Sequence, residues 1–219
     1  MWKANKAKLI LSSLGILLPI FVGLSLWNQL PEQVPTHWGP DGNPDGFSSR
    51  PVAVFLLPLI VFAIHWLCLL VTSKDTKNKD QHRKVFNLIW WICPVVSWFA
   101  GGIMYATVLG ADVPVGTVAF LLMGFAFIVI GNYLPKCKQN RTLGIKLPWT
   151  LADEGNWNAT HRIGGITWVI GGIVCILSAF LPQTALPFVF ILLLVIMMLI
   201  PTVYSYRYHK THQQNHNHQ

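Results

Sequence analysis

Residues Gly131 to Gly165 read GNYLPKCKQNRTLGIKLPWTLADEGNWNATHRIGG, a long polar, aromatic and turn-rich run in a chain of hydrophobic segments. The apolar stretches on both sides are long enough to cross a bilayer, so this run must leave one membrane span and enter the next. Pro135 ends the preceding helix and Pro148 interrupts the run again, because proline lacks a backbone N–H and disfavours a helical residue before it. We call residues 131–165 the signature segment.

A new helix is expected to begin inside the signature segment. Thr150, followed three residues later by Asp153, has the spacing of a capping box, and acidic residues suit the positive end of a helix. Trp157 and His161 then lie four residues apart, and Gly164 continues the helical period. The sequence therefore predicts a helix that carries an indole and an imidazole one turn apart on the same face.

The composition is that of a multispan membrane protein. Of the 219 residues, 53% are hydrophobic and only 11% are charged, which is far more apolar than a soluble domain of this size. The basic excess is divided among apolar spans and forms no continuous face, so nucleic-acid binding is not expected. The four cysteines are scattered without a CxxC pair, which argues against a zinc knuckle or a disulfide framework. No cofactor or metal is predicted.

Six apolar runs are long enough to span a bilayer, and the fold class is therefore an all-α integral membrane protein with six transmembrane helices. The first run is expected to remain as a span because it is too long for a signal peptide. The predicted spans are Leu9–Trp27, Pro51–Thr72, Val85–Leu109, Val115–Leu134, Ile163–Leu181 and a last one after Pro187 that ends near Tyr206.

The charge distribution predicts the orientation of the spans. Fifteen of the 16 Lys and Arg residues fall on one side of the predicted spans, and Arg50 stands alone on the other. By the positive-inside rule, both termini and the signature segment are cytoplasmic, and residues 28–50 face outward. This outer loop is dense in proline, glycine and aspartate and is expected to form a series of turns. The predicted location is the bacterial plasma membrane.

Three parts follow from this topology. Residues 1–72 form a two-span module with the outer loop, and residues 73–206 form a four-span domain with the signature segment. Residues 207–219 form a cytoplasmic tail, whose histidines could collect transition metals, although a polar, disordered tail is the commoner case. The tail histidines are His209, His212, His216 and His218.

The outer loop offers a candidate recognition surface. An amphipathic aromatic ring, a titratable ring and two carboxylates lie close together on a turn-rich scaffold, and an amphipathic peptide would find apolar and charged contacts there. The competing interpretation is an ordered loop in which the aspartates only form Asx-turns. A metal site is a weak third option, because one histidine and two aspartates have no defining spacing. The residues are His37, Trp38, Asp41 and Asp45.

Two features inside the spans have structural interpretations. Gly124 and Gly131 lie seven residues apart, as do Gly165 and Gly172, and each pair presents a narrow helix face on which another helix can pack closely. The pair Gly164 and Gly171 has the same spacing. His65 is ionisable and lies well inside a predicted span, so it is either functional or a neutral histidine bonded to a neighbouring helix.

A catalytic interpretation of the signature segment competes with a structural one. Asp153 or Glu154 could orient His161 as a general base, but two helical turns separate Glu154 from His161 and no nucleophile sits at a recognisable elbow. Cys137 has no demonstrated base beside it. No catalytic residue is therefore predicted, and His161, Trp157 and Asn140 are expected to lock the segment against the helical bundle.

The signature segment resembles the defining motif of the SdpI family, bacterial membrane proteins whose namesake gives immunity against a secreted toxic peptide. The outer loop, LPEQVPTHWGPDGNPDGF, resembles the N-terminal module of larger family members. Lys146 stands where the family usually has arginine, so a charge remains but planar, bidentate recognition is lost. The matching residues of the segment are Gly131, Asn132, Pro135, Asn140, Gly144, Ile145, Pro148, Trp149, Thr150, Leu151, Trp157, Thr160, His161, Arg162 and Gly165.

The resemblance implies an immunity protein that meets a secreted, membrane-active peptide at the outer loop, surrounded by membrane lipids. It also implies that cytoplasmic loops hold a transcriptional repressor at the membrane, as in the namesake system, without direct binding of nucleic acid. The alternatives are a membrane enzyme or transporter acting on a lipid or small solute, and a structural membrane component. The implied cytoplasmic functional core is Asn132, Asn140, Lys146, Trp149, Thr150, Trp157, His161 and Arg162.

Overall fold

The computed structural model describes residues 5–74 and 83–216, and these residues are mostly helical. A π-helical turn at Val52–Leu56 leads into α2, a 3₁₀ turn at Leu134–Lys136 extends α4, and another at Gln183–Ala185 precedes α7. The regular elements are α1 (Lys6–Ser25), β1 (Gln33–Trp38), β2 (Pro44–Ser49), α2 (Leu57–Lys74), α3 (Arg83–Val108), α4 (Val115–Tyr133), α5 (Pro148–Ala152), α6 (Glu154–Ser178) and α7 (Leu186–His216).

Six helices within the described ranges are long and apolar enough to cross a membrane, which confirms the predicted number of spans. Large apolar side chains point outward from them, and Leu177 and Phe188 are 66% and 75% exposed, as expected of surfaces that face lipid. The span-forming helices cover Lys6–Ser25, Val52–Lys74, Asn87–Val108, Val115–Lys136, Glu154–Ser178 and Gln183–His212.

The backbone forms two compact units. The N-terminal unit comprises Met1–Lys74 and Phe86–Val115, so it contains α1, the two strands, α2 and nearly all of α3. The C-terminal unit comprises Asp75–Val85 and Gly116–Gln219 and contains the signature segment. The third span therefore packs with the first two, whereas the sequence modules predicted at 1–72 and 73–206 divide the chain before it.

The outer loop of the N-terminal unit is a β-hairpin, and the expectation of a mere series of turns is wrong. β1 and β2 pair antiparallel, with Val34 opposite Ser48 and His37 opposite Gly46. The prolines concealed these strands, because proline cannot donate to a sheet ladder. A two-stranded sheet has only edge strands, so Pro35 is tolerated within β1.

The hairpin is attached to the helices by its buried face. Val34 is fully buried and packs with Val54 of the π-helical turn and with Met104 and Tyr105 of α3. The Tyr105 hydroxyl donates a hydrogen bond to the Pro19 carbonyl oxygen of α1, at 2.9 Å. The hairpin is thus an integral part of the N-terminal unit, because its apolar residues complete the core at one end of three helices.

His65 of α2 is completely buried and bonded to a neighbouring helix, in agreement with one of its two predicted roles. Its Nε2 lies 3.0 Å from the Ser12 hydroxyl of α1, and its ring meets Trp90 edge-on at 6.4 Å between centroids. This contact ties three helices together through one polar pair, as is typical of polar residues between membrane helices.

Glycines allow close packing of α4, α6 and α7 in the C-terminal unit. A β-carbon on Gly124 would lie 2.7 Å from the Gly172 carbonyl oxygen, and one on Gly131 would lie 2.8 Å from that of Gly165. The two predicted seven-residue pairs therefore face each other across α4 and α6. In the third pair, Gly171 faces Met197 of α7, whereas a β-carbon on Gly164 would lie 2.6 Å from Cδ1 of Ile145.

The histidine-rich tail is helical as far as the structure describes it, because α7 continues to His216. The expectation of a disordered tail is therefore wrong up to that residue, and His218 lies outside the described residues. The ring of His209 stacks on Trp149 at 5.9 Å between centroids with an interplanar angle of 19°, so the extension packs on the signature segment.

Candidate functional site

The long helix of the signature segment, α6, begins later in the sequence than predicted. The N-cap of α6 is Asp153, whose carboxylate accepts a hydrogen bond from the Gly155 N–H at 2.7 Å, so the prediction that Thr150 caps this helix is wrong. Thr150 instead lies buried in the short helix α5, where its hydroxyl accepts the Leu147 N–H at 2.9 Å. The break between α5 and α6 was hidden because Thr150 and Asp153 are both residue types that commonly cap helices, and only Asp153 does so here.

Trp157 and His161 form the buried centre of the site. Their rings stack at 4.0 Å between centroids, which confirms the predicted face of α6, and their exposures are 0% and 1%. The Trp157 indole N–H donates a hydrogen bond to the Cys137 carbonyl oxygen at 2.7 Å. This stack therefore fixes the chain just after α4 against the first turns of α6.

Both ring nitrogens of His161 are engaged by backbone groups. Nδ1 donates to the Trp157 carbonyl oxygen at 2.8 Å, and Nε2 accepts the Ile145 N–H at 3.0 Å. These partners require the neutral tautomer with its hydrogen on Nδ1, because a carbonyl can only accept and an N–H can only donate. A general base needs a free nitrogen within reach of its substrate, so this geometry favours a structural role for the imidazole.

Asn140 organises the loop that leads to His161. It is completely buried, and its carboxamide oxygen accepts the N–H groups of Thr142 and Leu143 at 2.8 and 2.6 Å. Its amide nitrogen donates to the carbonyl oxygens of Lys138 and Leu143 at 2.8 and 3.0 Å. One side chain thus replaces the backbone pairing that this irregular stretch lacks. We call Cys137, Asn140, Gly144, Trp157 and His161 the ring cluster.

A second buried network joins the segment to α7, and the sequence interpretation did not include its two central residues. Asn156 accepts hydrogen bonds from Thr160 at 2.9 Å and from the Ser205 hydroxyl at 2.7 Å, and it donates to the Ser205 carbonyl oxygen. The Trp149 indole N–H donates to the same hydroxyl at 2.8 Å. The spacing of Asn156 and Thr160 by four residues was a signal for this second polar face. We call these four residues the amide cluster.

The predicted cytoplasmic core divides into a buried part and an exposed part. Asn140, Thr150, Trp157 and His161 are buried, and Trp149 is half-buried. Three other residues of the prediction have exposed side chains and do not enter either cluster; they are Asn132, Lys146 and Arg162. Buried members can only hold the segment in shape, so direct contact with a partner is left to the exposed ones.

The predicted outer-loop residues lie on the hairpin of the N-terminal unit. His37 Nδ1 lies within hydrogen-bond distance of Asp45 Oδ1, at 2.5 Å, and the two side chains are 73% and 51% exposed. Asp41 accepts hydrogen bonds from the side chain and the backbone of Asn43, at 2.8 and 3.1 Å, so it makes the Asx-turn of the competing interpretation. These bonds, that of the Asn43 side chain foremost, hold the pKa of Asp41 below its ordinary value. Trp38 is half-buried.

The donor atoms of the hairpin do not assemble a metal site. Within residues 5–74 and 83–216, no group of three or more His, Cys, Asp or Glu side chains is arranged to hold an ion. Asp45 contacts His37, but the Asp41 carboxylate is bonded to Asn43 and does not join them. The exposed polar side chains of the hairpin therefore suit contact with a partner better than metal binding.

Cys137 provides a test of how firmly the ring cluster is closed. Burial raises the pKa of its thiol from 9.0 to about 11, although the Asn140 amide opposes this shift. Because the thiolate is the reactive form, we expect maleimide to label Cys137 about a hundredfold more slowly in the folded protein than in the denatured chain near pH 8.5. Site-resolved mass spectrometry after timed labelling in detergent measures this ratio.

The same shift predicts a pH dependence of stability. A thiol whose pKa is raised on folding stabilises the folded state fully at pH values below its unfolded pKa. This stabilisation is lost as pH rises, so the contribution of Cys137 to the free energy of unfolding should disappear between pH 9.0 and about 11. Equal labelling rates for folded and denatured protein would show that the ring cluster opens readily. Exchange of Cys137 for serine provides the control for the stability measurement.

These observations define the class: a multi-pass, mostly helical membrane protein whose spans carry a β-hairpin and a folded, hydrogen-bonded signature segment. The sequence model of the SdpI/YfhL protein family matches residues 136–205, and that of a domain of unknown function (DUF1648) matches residues 14–62. Over residues 136–205 the chain is thus similar to the SdpI/YfhL family, and it is a multi-pass plasma-membrane protein.

Two curated relatives extend these matches. The chain is 27% identical over 208 residues to immunity protein SdpI of Bacillus subtilis, an alignment that covers 93% of this chain and 96% of the relative. It is 42% identical over 84 residues to an uncharacterized protein of Archaeoglobus fulgidus, which covers 38% of this chain and 45% of the relative. No solved structure matches the chain.

Proposed function

We propose that this protein gives its cell immunity against a secreted, membrane-active peptide. The observation that carries the proposal is the similarity to an immunity protein over 93% of this chain and 96% of the relative. Because the alignment spans nearly all of both chains, it is not confined to the signature segment. Isolated similarity in one span would not support a shared function.

The hairpin is the proposed place of first contact. By the charge count it faces outward, and its exposed His37–Asp45 pair lies beside the half-buried ring of Trp38. An exposed polar contact of this kind contributes little stability, so His37 and Asp45 can exchange partners when a charged peptide arrives. The surface combines an aromatic anchor with charged groups, which is the usual composition of peptide-binding sites.

The signature segment is the proposed cytoplasmic output. Its buried clusters keep a short irregular stretch in one conformation, and five cationic side chains are exposed around them. A rigid, basic surface suits an acidic partner, and we propose that this partner is a transcriptional repressor retained at the membrane. The exposed cations are Lys136, Lys138, Arg141, Lys146 and Arg162.

The rival interpretation, a membrane enzyme or transporter, has less support. Its general base was to be His161, but both nitrogens of that ring are bound to backbone groups. Asp153, its predicted orienting partner, caps α6 through Gly155. Our proposal therefore assigns the protein no catalytic step, cofactor or metal.

Protection of a sensitive bacterium tests the proposed function. We expect expression of this chain to raise the inhibitory concentration of a membrane-active peptide taken from a panel of purified bacterial toxins. The double variant Trp157→Ala/His161→Ala should insert normally but lose this protection, because the stack and its hydrogen bonds to Cys137 and Ile145 are removed. Membrane fractionation confirms insertion.

An exposed double variant separates immunity from signalling. Lys146→Gln/Arg162→Gln removes two exposed charges without touching the ring cluster, so it should keep protection and lose co-purification with a DNA-binding protein. If the unchanged chain protects against none of the purified toxins in the panel, the proposed immunity function is wrong. Full protection by the Trp157→Ala/His161→Ala variant would show that immunity does not depend on the ring cluster.

A further inference from the structure

A cavity of about 80 Å³ lies within the N-terminal unit, beneath the hairpin. Its walls are formed by α1, β1, the π-helical turn, α2 and α3, so the cavity lies where the hairpin meets the helices. Its lining residues include Pro19, Trp38, Leu57, Val61, Ala100 and Gly101. The cavity thus joins a residue already predicted to meet a peptide, Trp38, to three membrane helices.

The cavity is chemically apolar although three hydroxyl groups line it. The Thr36 hydroxyl is bonded to Ser48 at 2.9 Å, and those of Ser97 and Tyr105 donate to the carbonyl oxygens of Ile16 and Pro19. A stably bound water needs two to four polar partners, and these groups are already engaged with the protein. An apolar group is therefore the better occupant.

The cavity reaches the lipid-facing surface between α2 and α3. Leu57 is 37% exposed, and Ala100 is also exposed, yet both line the cavity. Its volume is about half that of the engineered cavity of about 150 Å³ that holds a benzene ring in another protein. One branched aliphatic side chain, entering sideways from the membrane, fits these limits.

The charges around the hairpin indicate the nature of the molecule that bears this side chain. Exposed acidic residues outnumber basic ones near this end of the unit, with Glu32, Asp41, Asp45 and Asp112 against Arg50. Arg50 is held over the Trp27 ring at 5.4 Å. An acidic rim favours a cationic ligand and disfavours the anionic headgroups of bacterial lipids.

We propose that this cavity binds a branched aliphatic side chain of a cationic, amphipathic peptide that lies in the membrane interface. The inference rests on the proposed function and specifies its ligand: the peptide is caught from the lipid side, with its apolar side chain beside Trp38 and its cations at the acidic rim. Immunity then begins with removal of the peptide from the bilayer.

Photo-crosslinking in vesicles tests this assignment. The probe is a synthetic amphipathic peptide of lysine and leucine in which one leucine is photo-leucine, added to the full-length protein in lipid vesicles. We expect crosslinks to α2 and α3 residues that line the cavity. Ala100→Leu should reduce them about tenfold, because the added carbons fill the entrance; a tenfold change in affinity corresponds to about 1.4 kcal/mol.

Matched variants decide whether the effect is local. Ala63→Leu makes the same change at an exposed position of α2 outside the cavity and should leave the crosslinks unchanged. Val61→Ala enlarges the cavity and should shift the preference towards a probe with a bulkier photoreactive side chain. The proposal is overturned if Ala100→Leu gives as many crosslinks as the unchanged protein. It is also overturned if a photoreactive lipid acyl chain labels the cavity residues equally and the peptide does not displace it.

The protection assay keeps the two proposals separate. If Ala100→Leu loses the crosslinks but retains full protection, the claim that immunity begins at the cavity is wrong, while the immunity function stands. If the unchanged chain gives the expected crosslinks but no protection against any peptide, immunity is wrong and the binding cavity stands.

Discussion

Exchange of Gly172 for leucine is expected to prevent α4 and α6 from packing and to remove most of the folded protein. A β-carbon at Gly172 would lie 2.5 Å from the Gly124 carbonyl oxygen and 2.8 Å from the backbone nitrogen of Ile128. Backbone atoms cannot move aside as a flexible side chain can. Carbon and oxygen atoms normally stay about 3.3 Å apart even in their closest favourable contacts, so the helices must separate.

Gly172→Leu is expected to lower the free energy of unfolding by about 3 kcal/mol or more, at the upper end of overpacking effects, because direct packing is a main force between membrane helices. Thermal unfolding in detergent, followed by size-exclusion chromatography, measures the loss. Gly102→Leu is the matched control, since Gly102 is exposed and a β-carbon added there would have no atom within 4 Å. A Gly172→Leu protein as stable as the Gly102→Leu protein would contradict the close approach of α4 and α6.

The sequence predicted those parts of the fold that depend on local spacing. Seven-residue glycine pairs predicted helix faces suited to close packing, two of which meet between α4 and α6, and the four-residue interval between Trp157 and His161 predicted their stack. Both follow from the helical repeat, which needs no knowledge of other segments. The six spans were likewise set by length and apolar composition.

The features that the sequence did not predict depend on residues that are distant in the chain or on competing local signals. Asn156 and Ser205 are 49 residues apart, and neither has a pattern that would reveal their pairing before α6 and α7 are packed. The hairpin strands were obscured by Pro35 and Pro44, which usually indicate turns. The cap of α6 was assigned to Thr150 because two capping residues compete within four positions.

The structure also changes the interpretation of the signature segment. Its aromatic and polar residues are largely consumed by internal hydrogen bonds, with Asn140, Trp157 and His161 fully engaged. A side chain whose hydrogen-bonding groups are all bonded within the protein can affect a partner only through the conformation that it stabilises. We therefore infer that a mutation in the buried clusters acts by changing the conformation of the whole signature segment, its exposed basic surface included.

Exchange of Gly144 for alanine is the sharpest test of that inference within the ring cluster. Gly144 has a φ of +101°, a left-handed conformation that other residues rarely adopt. A β-carbon there would also collide with Nε2 of His161, the atom that accepts the Ile145 N–H. We expect about 1–2 kcal/mol of backbone strain and about 1–3 kcal/mol from the disturbed buried hydrogen bond.

Gly110→Ala separates these two contributions, because Gly110 has a φ of +83° but an added β-carbon there would have no atom within 4 Å. Both variants should lose stability in thermal unfolding, and only Gly144→Ala should accelerate maleimide labelling of Cys137. Since His161 and Cys137 both contact Trp157, release of the imidazole loosens the whole ring cluster. If Gly144→Ala left Cys137 as protected as Gly110→Ala does, the imidazole would not be what holds the segment closed.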